Sequence, residues 1–173
     1  MQFKYFSVYV GLRFNSKDKC LNIPLNMKMR KIFIDGLILN FMKRVFQKIY
    51  DLALPYQDKR NDRGHARVVM SFAFKLLESE AADEDIVIPA AILHDVGWSQ
   101  MSKKQRMQVF NTELWSKEDQ KVREQHQHEG VRLAKKILEE INYPKSKITS
   151  ILDIISEHDT RKDSINREDS IVK

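Results

Sequence analysis

The chain has 173 residues, of which 42% are hydrophobic and 31% charged, a balance typical of a soluble globular protein with one main domain. No apolar stretch approaches the roughly 20 residues that a membrane-spanning helix needs, and the N-terminus lacks a signal-peptide pattern. The single cysteine, Cys20, excludes an internal disulfide and a cysteine-based zinc cluster. These features predict a cytoplasmic protein that does not enter membranes.

The net charge of +6 is unevenly distributed along the chain. Residues 1–60 carry 12 Lys and Arg against four Asp, whereas residues 61–173 carry 18 basic and 20 acidic residues. A basic segment can contact nucleic acid or an anionic membrane surface. The chain has no dedicated nucleic-acid-binding motif, because basic and aromatic residues do not alternate repeatedly, so a solvated basic segment is the favoured interpretation.

Residues 1–36 differ in composition from the rest of the chain. Residues 1–14 are aromatic and loosely alternating, and a polar stretch around Cys20 follows them. This pattern is compatible with a short strand or a disordered extension, and Met27 and Met29 leave open a later start of the protein. We therefore interpret residues 1–36 as an N-terminal extension and residues 37–173 as the folded domain.

Apolar residues recur at helical spacing from residue 37 onward without a convincing strand pair, so the predicted fold class is all-α. A first helix is expected over 37–54, before Pro55, and a second over 65–80, with Asp62 as its N-cap. The apolar face of the second helix is expected to carry the following residues: Val69, Phe72, Ala73, Leu76 and Leu77.

A third helix is expected over 86–93, capped by Asp83 and closed by Gly97. Pro89 lacks a backbone N–H, so it is expected to be tolerated only in or near the first turn of this helix. Residues 99–115 are polar and predict a loop with a short helix around 103–110.

The C-terminal part of the pattern predicts two further helices. Ser116 is expected to cap a long helix that reaches about Ile141, and Pro144 to start another that runs to about His158. Residues 160–173 are polar, and no element is predicted there.

The stretch 86–98 places His94 and Asp95 at the end of eight uninterrupted apolar residues. A run of that length belongs in the interior of a fold, where an imidazole and a carboxylate are costly to bury without partners. A metal cation satisfies both groups at once. The question for the rest of the chain is therefore whether it supplies further metal ligands.

The chain contains five histidines, and helical spacing divides them into two groups. His65, His126 and His158 fall on apolar helix faces, whereas His128 falls on a polar face. Four inward histidines beside an aspartate are explained more simply by one or two metal ions than by a separate hydrogen-bond partner for each ring. The sequence thus predicts a metal site from these residues: His65, His94, Asp95, His126 and His158.

Other interpretations of the same residues are less favourable. On a strand, His126 and His128 would share a face and form a metal pair, but the surrounding spacing is helical. Gly130, four residues after His126, suits a close approach of the helix to the site. The glycine-rich nucleotide-binding motifs, the G-x-S-x-G motif and the H-E-x-x-H motif are all missing from the sequence.

Four segments in this order resemble the HD-domain superfamily of metal-dependent phosphohydrolases: D-R-G-H-A-R-V-V, A-A-I-L-H-D-V-G-W, H-Q-H-E-G-V-R-L-A and I-I-S-E-H-D. The resemblance covers roughly residues 40–173. It implies a compact helical bundle with a metal site between helices and a small phosphorylated substrate, a nucleotide being one candidate. Where such proteins bind two metals, the matching later histidine is His126 rather than His128.

The resulting hypothesis is hydrolysis of a phosphate ester by metal-activated water, with Asp95 as the catalytic carboxylate that bridges two ions. Imidazole and carboxylate ligands suit Mn, Fe, Co, Ni or Zn, and Mg is a further candidate. The cation would lower the pKa of a coordinated water towards about 7. We expect the Trp98 ring to pack within the fold rather than to stack on a base. The substrate phosphate is expected to contact these residues: Lys103, Lys104, Arg106, Arg161 and Lys162.

The chain departs from the resembled family at its end. The family's late aspartate usually lies in a V-K-D-A-D-like segment, whereas this sequence ends at Lys173. The domain is therefore expected to lack its C-terminal end, or Asp159 or Asp163 substitutes for that ligand. Three alternatives stay open: a non-catalytic ligand-binding or regulatory HD module, a helical di-iron oxygenase, and a helical interaction protein without metal.

Overall fold

The structure is a computed structural model that describes residues 42–57, 64–111 and 116–173. Within these ranges every regular element is helical, which confirms the all-α fold class. The α-helices are, in chain order, α1 (Arg44–Ala53), α2 (His65–Leu77), α3 (Glu84–Leu93), α4 (Lys103–Asn111), α5 (Lys117–Glu140), α6 (Lys145–Ser156) and α7 (Arg167–Val172). Short 3₁₀ segments cover Leu54–Tyr56 and Val96–Gln100. The predicted N-terminal extension and the predicted cap Asp62 lie outside the described residues.

Helix α3 is the central element of the fold. All its residues from Val87 to Leu93 are buried, as expected for the apolar run. It contacts α1, α2, α6 and α7, so the core forms around it. At its start the Asp83 carboxylate accepts a hydrogen bond from the backbone N–H of Asp85 at 2.9 Å, which confirms the predicted cap.

Pro89 lies inside α3 and beyond its first turn, so the prediction that it would sit in or near that turn was wrong. A proline at this position cannot donate to the carbonyl of Asp85, four residues earlier. The hydroxyl of Tyr143 donates to that carbonyl instead, at 2.7 Å. The hydrogen bond from the loop after α5 thus replaces the one that the helix lacks.

Several helix boundaries differ from the sequence prediction: α1 begins at Arg44 rather than at 37, α2 ends at Leu77 rather than at 80, and α3 begins at Glu84 rather than at 86. Lys43 precedes α1, and its ammonium group lies 2.9 Å from the Glu84 carboxylate at the start of α3. Helix α3 ends at Leu93, as predicted, but Gly97 does not close it and lies within the 3₁₀ segment that follows. The capping box of Ser116 and the short helix α4 agree with the predictions.

The buried face of α2 was predicted correctly only in part. Ala73 is buried and Val69 and Leu77 pack against the core, as predicted, whereas Phe72 and Leu76 are 50% and 42% exposed. Ala66 and Met70 are buried as well, and the helix packs against α3. No helix in the part of the chain that the structure describes combines the length and apolarity of a bilayer span.

Candidate metal centre

His94 and Asp95 form the turn between α3 and the 3₁₀ segment Val96–Gln100. His94 is 5% exposed, and the apolar helix before it carries the ring into the interior. His65 is the first residue of α2 and follows Gly64, whose φ of 86° lies in the left-handed region that favours glycine. The described fold thus brings an early histidine to the end of the central helix.

The Asp95 carboxylate lies at the centre of four histidine rings. Its Oδ2 is 3.3 Å from Nε2 of His65 and 3.4 Å from Nε2 of His94. Its Oδ1 is 3.4 Å from Nε2 of His158 and 3.9 Å from Nε2 of His126. All four rings therefore present the same nitrogen to one carboxylate.

These residues form two groups whose donor atoms could hold a metal ion. One group consists of His65, His94 and Asp95, the other of Asp95, His126 and His158, and the donor atoms within each group lie within 4.8 Å of one another. Nε2 of His65 and Nε2 of His94 are only 3.2 Å apart. Asp95 belongs to both groups, which is the arrangement that a bridging carboxylate requires.

His94 and His158 are each oriented by a hydrogen bond to the backbone carbonyl three residues earlier. The Nδ1 atom of His94 lies 2.9 Å from the carbonyl oxygen of Ala91, and that of His158 lies 2.9 Å from the carbonyl oxygen of Ile155. A carbonyl oxygen can only accept, so both Nδ1 atoms carry a proton and donate it. In the neutral rings the Nε2 lone pairs then face Asp95, as histidine ligands require.

The charges inside the cluster favour a cation. Burial raises the pKa of Asp95, but the electrostatic interaction with His94 and hydrogen bonds from His158 and His65 outweigh burial and hold the pKa well below its usual range. Burial lowers the pKa of His158, but its hydrogen bond to Asp95 and the negative charge there outweigh it and raise the pKa overall. A proton on His158 thus serves the ionised Asp95 as a cation would, and a metal would compete with it.

The His126 ring is fully buried. Neither of its ring nitrogens makes a hydrogen bond of good geometry among the described residues, although the backbone of Arg123 and the carboxylates of Asp95 and Asp159 lie nearby. Burial and the charge of His158 lower the pKa of His126 to about 3, so it is neutral near pH 7. A neutral, buried imidazole without a well-formed hydrogen bond fits a metal ligand better than a satisfied core residue.

Trp98 packs in the interior, as predicted, and contacts two members of the cluster. Its ring stacks on the His126 ring with centroids 3.9 Å apart and planes 13° apart. Its indole Nε1 donates to Oδ1 of Asp95 at 3.1 Å. Trp98 therefore fixes both the ring plane of His126 and one carboxylate oxygen.

Two helix C-termini converge on the cluster. His94 directly follows α3, and His158 lies two residues beyond the end of α6. The C-terminal end of a helix carries a partial negative charge from its unpaired carbonyl groups. Both helices therefore add to the attraction that Asp95 exerts on a cation.

Asp159 borders the centre, and Asp163 is exposed. Oδ2 of Asp159 lies 3.7 Å from Nε2 of His126 and accepts a hydrogen bond from Nη1 of Arg123 at 2.9 Å. Arg123 was not anticipated, because nothing in the sequence shows which side of α5 meets the turn after α6. As predicted, the His128 side chain is exposed.

The residues predicted to contact substrate fall into two groups. Lys103, Lys104 and Lys162 are exposed. Arg106 donates to the carbonyl oxygens of Trp98 and Met101, and Arg161 donates to Asp169 at 3.0 Å and to the carbonyl oxygen of Asp153 at 2.9 Å. Both arginines are engaged within the fold, and substrate contact stays a prediction for all five.

The fold and the site together define an all-helical protein with a clustered histidine and aspartate donor set. The family model for the HD domain matches residues 63–173. The chain therefore belongs to the HD domain family, and the resemblance found in the sequence is confirmed. No curated protein and no solved structure matches the chain.

Proposed function

We propose that this protein is a metal-dependent phosphohydrolase that hydrolyses a phosphate ester of a small molecule, with nucleotides as one candidate class of substrate. Most members of the HD domain family are metal-dependent hydrolases. The single observation that carries the proposal is the position of Asp95, whose two oxygens face two separate groups of histidines.

The donor set fits a divalent transition metal. His65 and His94 with Asp95 would hold one ion, and His126 and His158 with Asp95 would hold a second. Mixed nitrogen and oxygen ligands favour Mn, Fe, Co, Ni or Zn, with Mg as a further candidate. A cation bound there would polarise a phosphoryl oxygen and make water a stronger nucleophile near neutral pH.

The protein's own residues supply orientation and exclusion of water. The backbone carbonyls of Ala91 and Ile155 fix two rings, and Trp98 fixes a third. The side chains of His126 and His158 are 0% and 7% exposed, whereas the side chain of His65 is 29% exposed. We infer that a phosphorylated substrate approaches from this more exposed side.

Metal analysis of the purified protein is the first test. We expect stoichiometric transition metal in the wild type and in His128→Ala, which removes an exposed imidazole outside the cluster, and strongly reduced metal in Asp95→Asn. Absence of stoichiometric metal from wild-type protein after incubation with each candidate ion would contradict the proposal.

A panel of nucleotides and simple phosphate esters then tests the reaction. We expect wild type and His128→Ala to release inorganic phosphate at similar rates, and Asp95→Asn to lose activity by a factor of at least about 100, since a catalytic carboxylate would be missing. Tight binding of a phosphate ester without turnover would instead show a non-catalytic module. Oxygen consumption by the iron-loaded protein would instead show an oxygenase.

A further inference from the structure

Gln127 directly follows His126 on α5, and its side chain is buried with 1% of the residue exposed. A primary amide at that depth needs partners for both its oxygen and its nitrogen. The metal centre described above makes no direct use of this residue. Its contacts therefore require a separate explanation.

The amide of Gln127 meets the turn that carries His158. In the orientation that pairs both ends of the amide, its oxygen accepts from the backbone N–H of His158 at 3.1 Å and of Asp159 at 2.9 Å. Its nitrogen then donates to Oγ1 of Thr160 at 3.1 Å. One side chain thus makes three hydrogen bonds to three consecutive residues.

The backbone of this turn needs such an acceptor because α6 has ended at Ser156. In a continued helix the N–H of Asp159 would bond to the carbonyl of Ile155. That carbonyl instead accepts from Nδ1 of His158 at 2.9 Å. The hydrogen bond that orients the His158 ring thus occupies the carbonyl of Ile155. Gln127 supplies another acceptor for the backbone N–H of Asp159.

We propose that Gln127 is a positioning residue of the metal centre, which holds the turn of His158 and Asp159 so that the His158 ring faces Asp95. The consequence for metal affinity rests on the proposed function, whereas the role in holding the turn does not. Gln127 acts through the backbone and contacts neither metal nor substrate.

Arg123 holds the same turn in a different way. It lies one helical turn before Gln127 on α5 and binds the side chain of Asp159 at 2.9 Å. Arg123 therefore constrains a carboxylate, whereas Gln127 constrains the backbone that sets the direction of the His158 ring. Loss of Gln127 should consequently affect His158 even when the ion pair persists.

Four variants separate these contributions. Gln127→Met has a similar size but no acceptor, and Gln127→Glu keeps an acceptor oxygen for the two N–H groups. Thr160→Val removes only the partner of the amide nitrogen. Gln127→Asn keeps the amide but moves its oxygen away from the turn by the length of one methylene group. It is used in place of Gln127→Met if thermal unfolding shows that the Met variant does not fold.

Hydrogen exchange of the chelator-treated protein tests the role in the turn directly. We expect the amides of His158 and Asp159 to exchange at least about tenfold faster in Gln127→Met than in wild type, while those of α3 stay unchanged. Gln127→Glu and Thr160→Val should retain most of the protection. Unchanged exchange in Gln127→Met would overturn the proposal, whether or not the protein binds metal.

Titration with Mn²⁺ and Zn²⁺ by calorimetry tests the consequence for the centre. We expect Gln127→Met to bind about 10–100 times more weakly, the range for loss of a group that orients a ligand, and Gln127→Glu to restore most of the affinity. Faster exchange with unchanged affinity would refute the positioning role. A wild type that binds neither these two ions nor any other candidate ion would refute the proposed function, and the exchange result would still decide whether Gln127 holds the turn.

Discussion

Gly97 lies so close to the carbonyl oxygen of His126 that a Cβ added to Gly97 would come within 1.9 Å of that oxygen. The same Cβ would lie 2.6 Å from the backbone nitrogen of Gly130. Both obstacles are backbone atoms of α5, which cannot move aside as the end of a flexible side chain could. The approach of the 3₁₀ segment to α5, and with it the stacking of Trp98 on His126, therefore depends on glycine at position 97.

Alanine substitutions at the two glycines should have opposite effects on stability. Gly97→Ala is expected to lower the free energy of unfolding by about 1–3 kcal/mol or more, because the backbone must shift. Gly130→Ala should raise it by about 0.5–1 kcal/mol, since a Cβ there would meet Ile155 at an ordinary 3.4 Å and alanine favours the helix interior. Urea unfolding measures both values, and equal losses of stability from the two substitutions would contradict the distinction between the two positions.

Tyr143 and Pro89 form a second coupled pair, through the carbonyl of Asp85. Tyr143→Phe removes the hydrogen bond that the Tyr143 hydroxyl donates to this carbonyl, and should cost about 1 kcal/mol of unfolding free energy. Pro89→Ala restores a backbone donor to the same carbonyl. In the Pro89→Ala background, Tyr143→Phe should therefore cost clearly less, and a double-mutant cycle measures the difference. Additive effects of the two substitutions would argue against the Tyr143 hydroxyl taking the place of the missing backbone donor.

His126→Leu should separate stability from metal binding. The leucine removes two buried ring nitrogens without partners in the described structure, so the chelator-treated protein should gain about 1 kcal/mol of unfolding free energy. The same change should weaken metal binding, because a proposed ligand is lost. Unfolding with and without metal gives both quantities. A large loss of stability in the metal-free variant would show that the ring contributes more by packing on Trp98 than its unpaired nitrogens cost.

The acid stability of the start of α3 should depend on Lys147. Hydrogen bonds from Lys147 and Lys43 lower the pKa of the Asp85 carboxyl group below its ordinary value. Because the folded pKa is the lower one, the ionised carboxylate adds stability above its unfolded pKa, and this contribution is lost as the pH falls through the folded pKa. Solvent screens the pair, so the contribution should be small. Lys147→Met should raise the pKa of Asp85, as measured by carbon NMR of its carboxyl group.

Lys135→Met is the matched control for this titration. Its ammonium group lies 3.9 Å from Glu139 on the exposed face of α5, away from the start of α3. The pKa of Asp85 should not change in this variant. An equal shift in both variants would indicate an effect of net charge rather than of the specific contact.

The elements that the sequence predicts well are those with strong local signals. The Asp83 cap, the Ser116 capping box and the buried run of α3 each depend on residues within a few positions of one another. Helix α7 was missed because it spans only six residues, although Asn166 accepts from the N–H of Asp169 as an N-cap should. The predicted role of residues in the centre as ligands stays a prediction, although the structure brings all of them together.

The burial of α2 shows where local patterns fail. The predicted face included Phe72 and Leu76, which are exposed, together with Ala73, which is buried. The buried side of the helix is shifted towards Ala66 and Met70, and helical spacing alone does not favour these residues over the larger side chains. Gln127 and Arg123 were missed for a related reason, because their partners belong to a turn more than 30 positions away.

The convergence of α3 and α6 also bears on how fast a metal ion is captured. The net charge of +6 comes from the basic residues before position 61, whereas residues 61–173, which contain the centre, carry 18 basic and 20 acidic residues. A dication that approaches this part of the chain therefore meets little net charge at long range and is attracted mainly within the centre. Salt screens exposed charges over about 8 Å at physiological ionic strength but weakens buried interactions much less. Added salt should therefore change the association rate of a dication only slightly. The two helix ends thus make metal capture a short-range event.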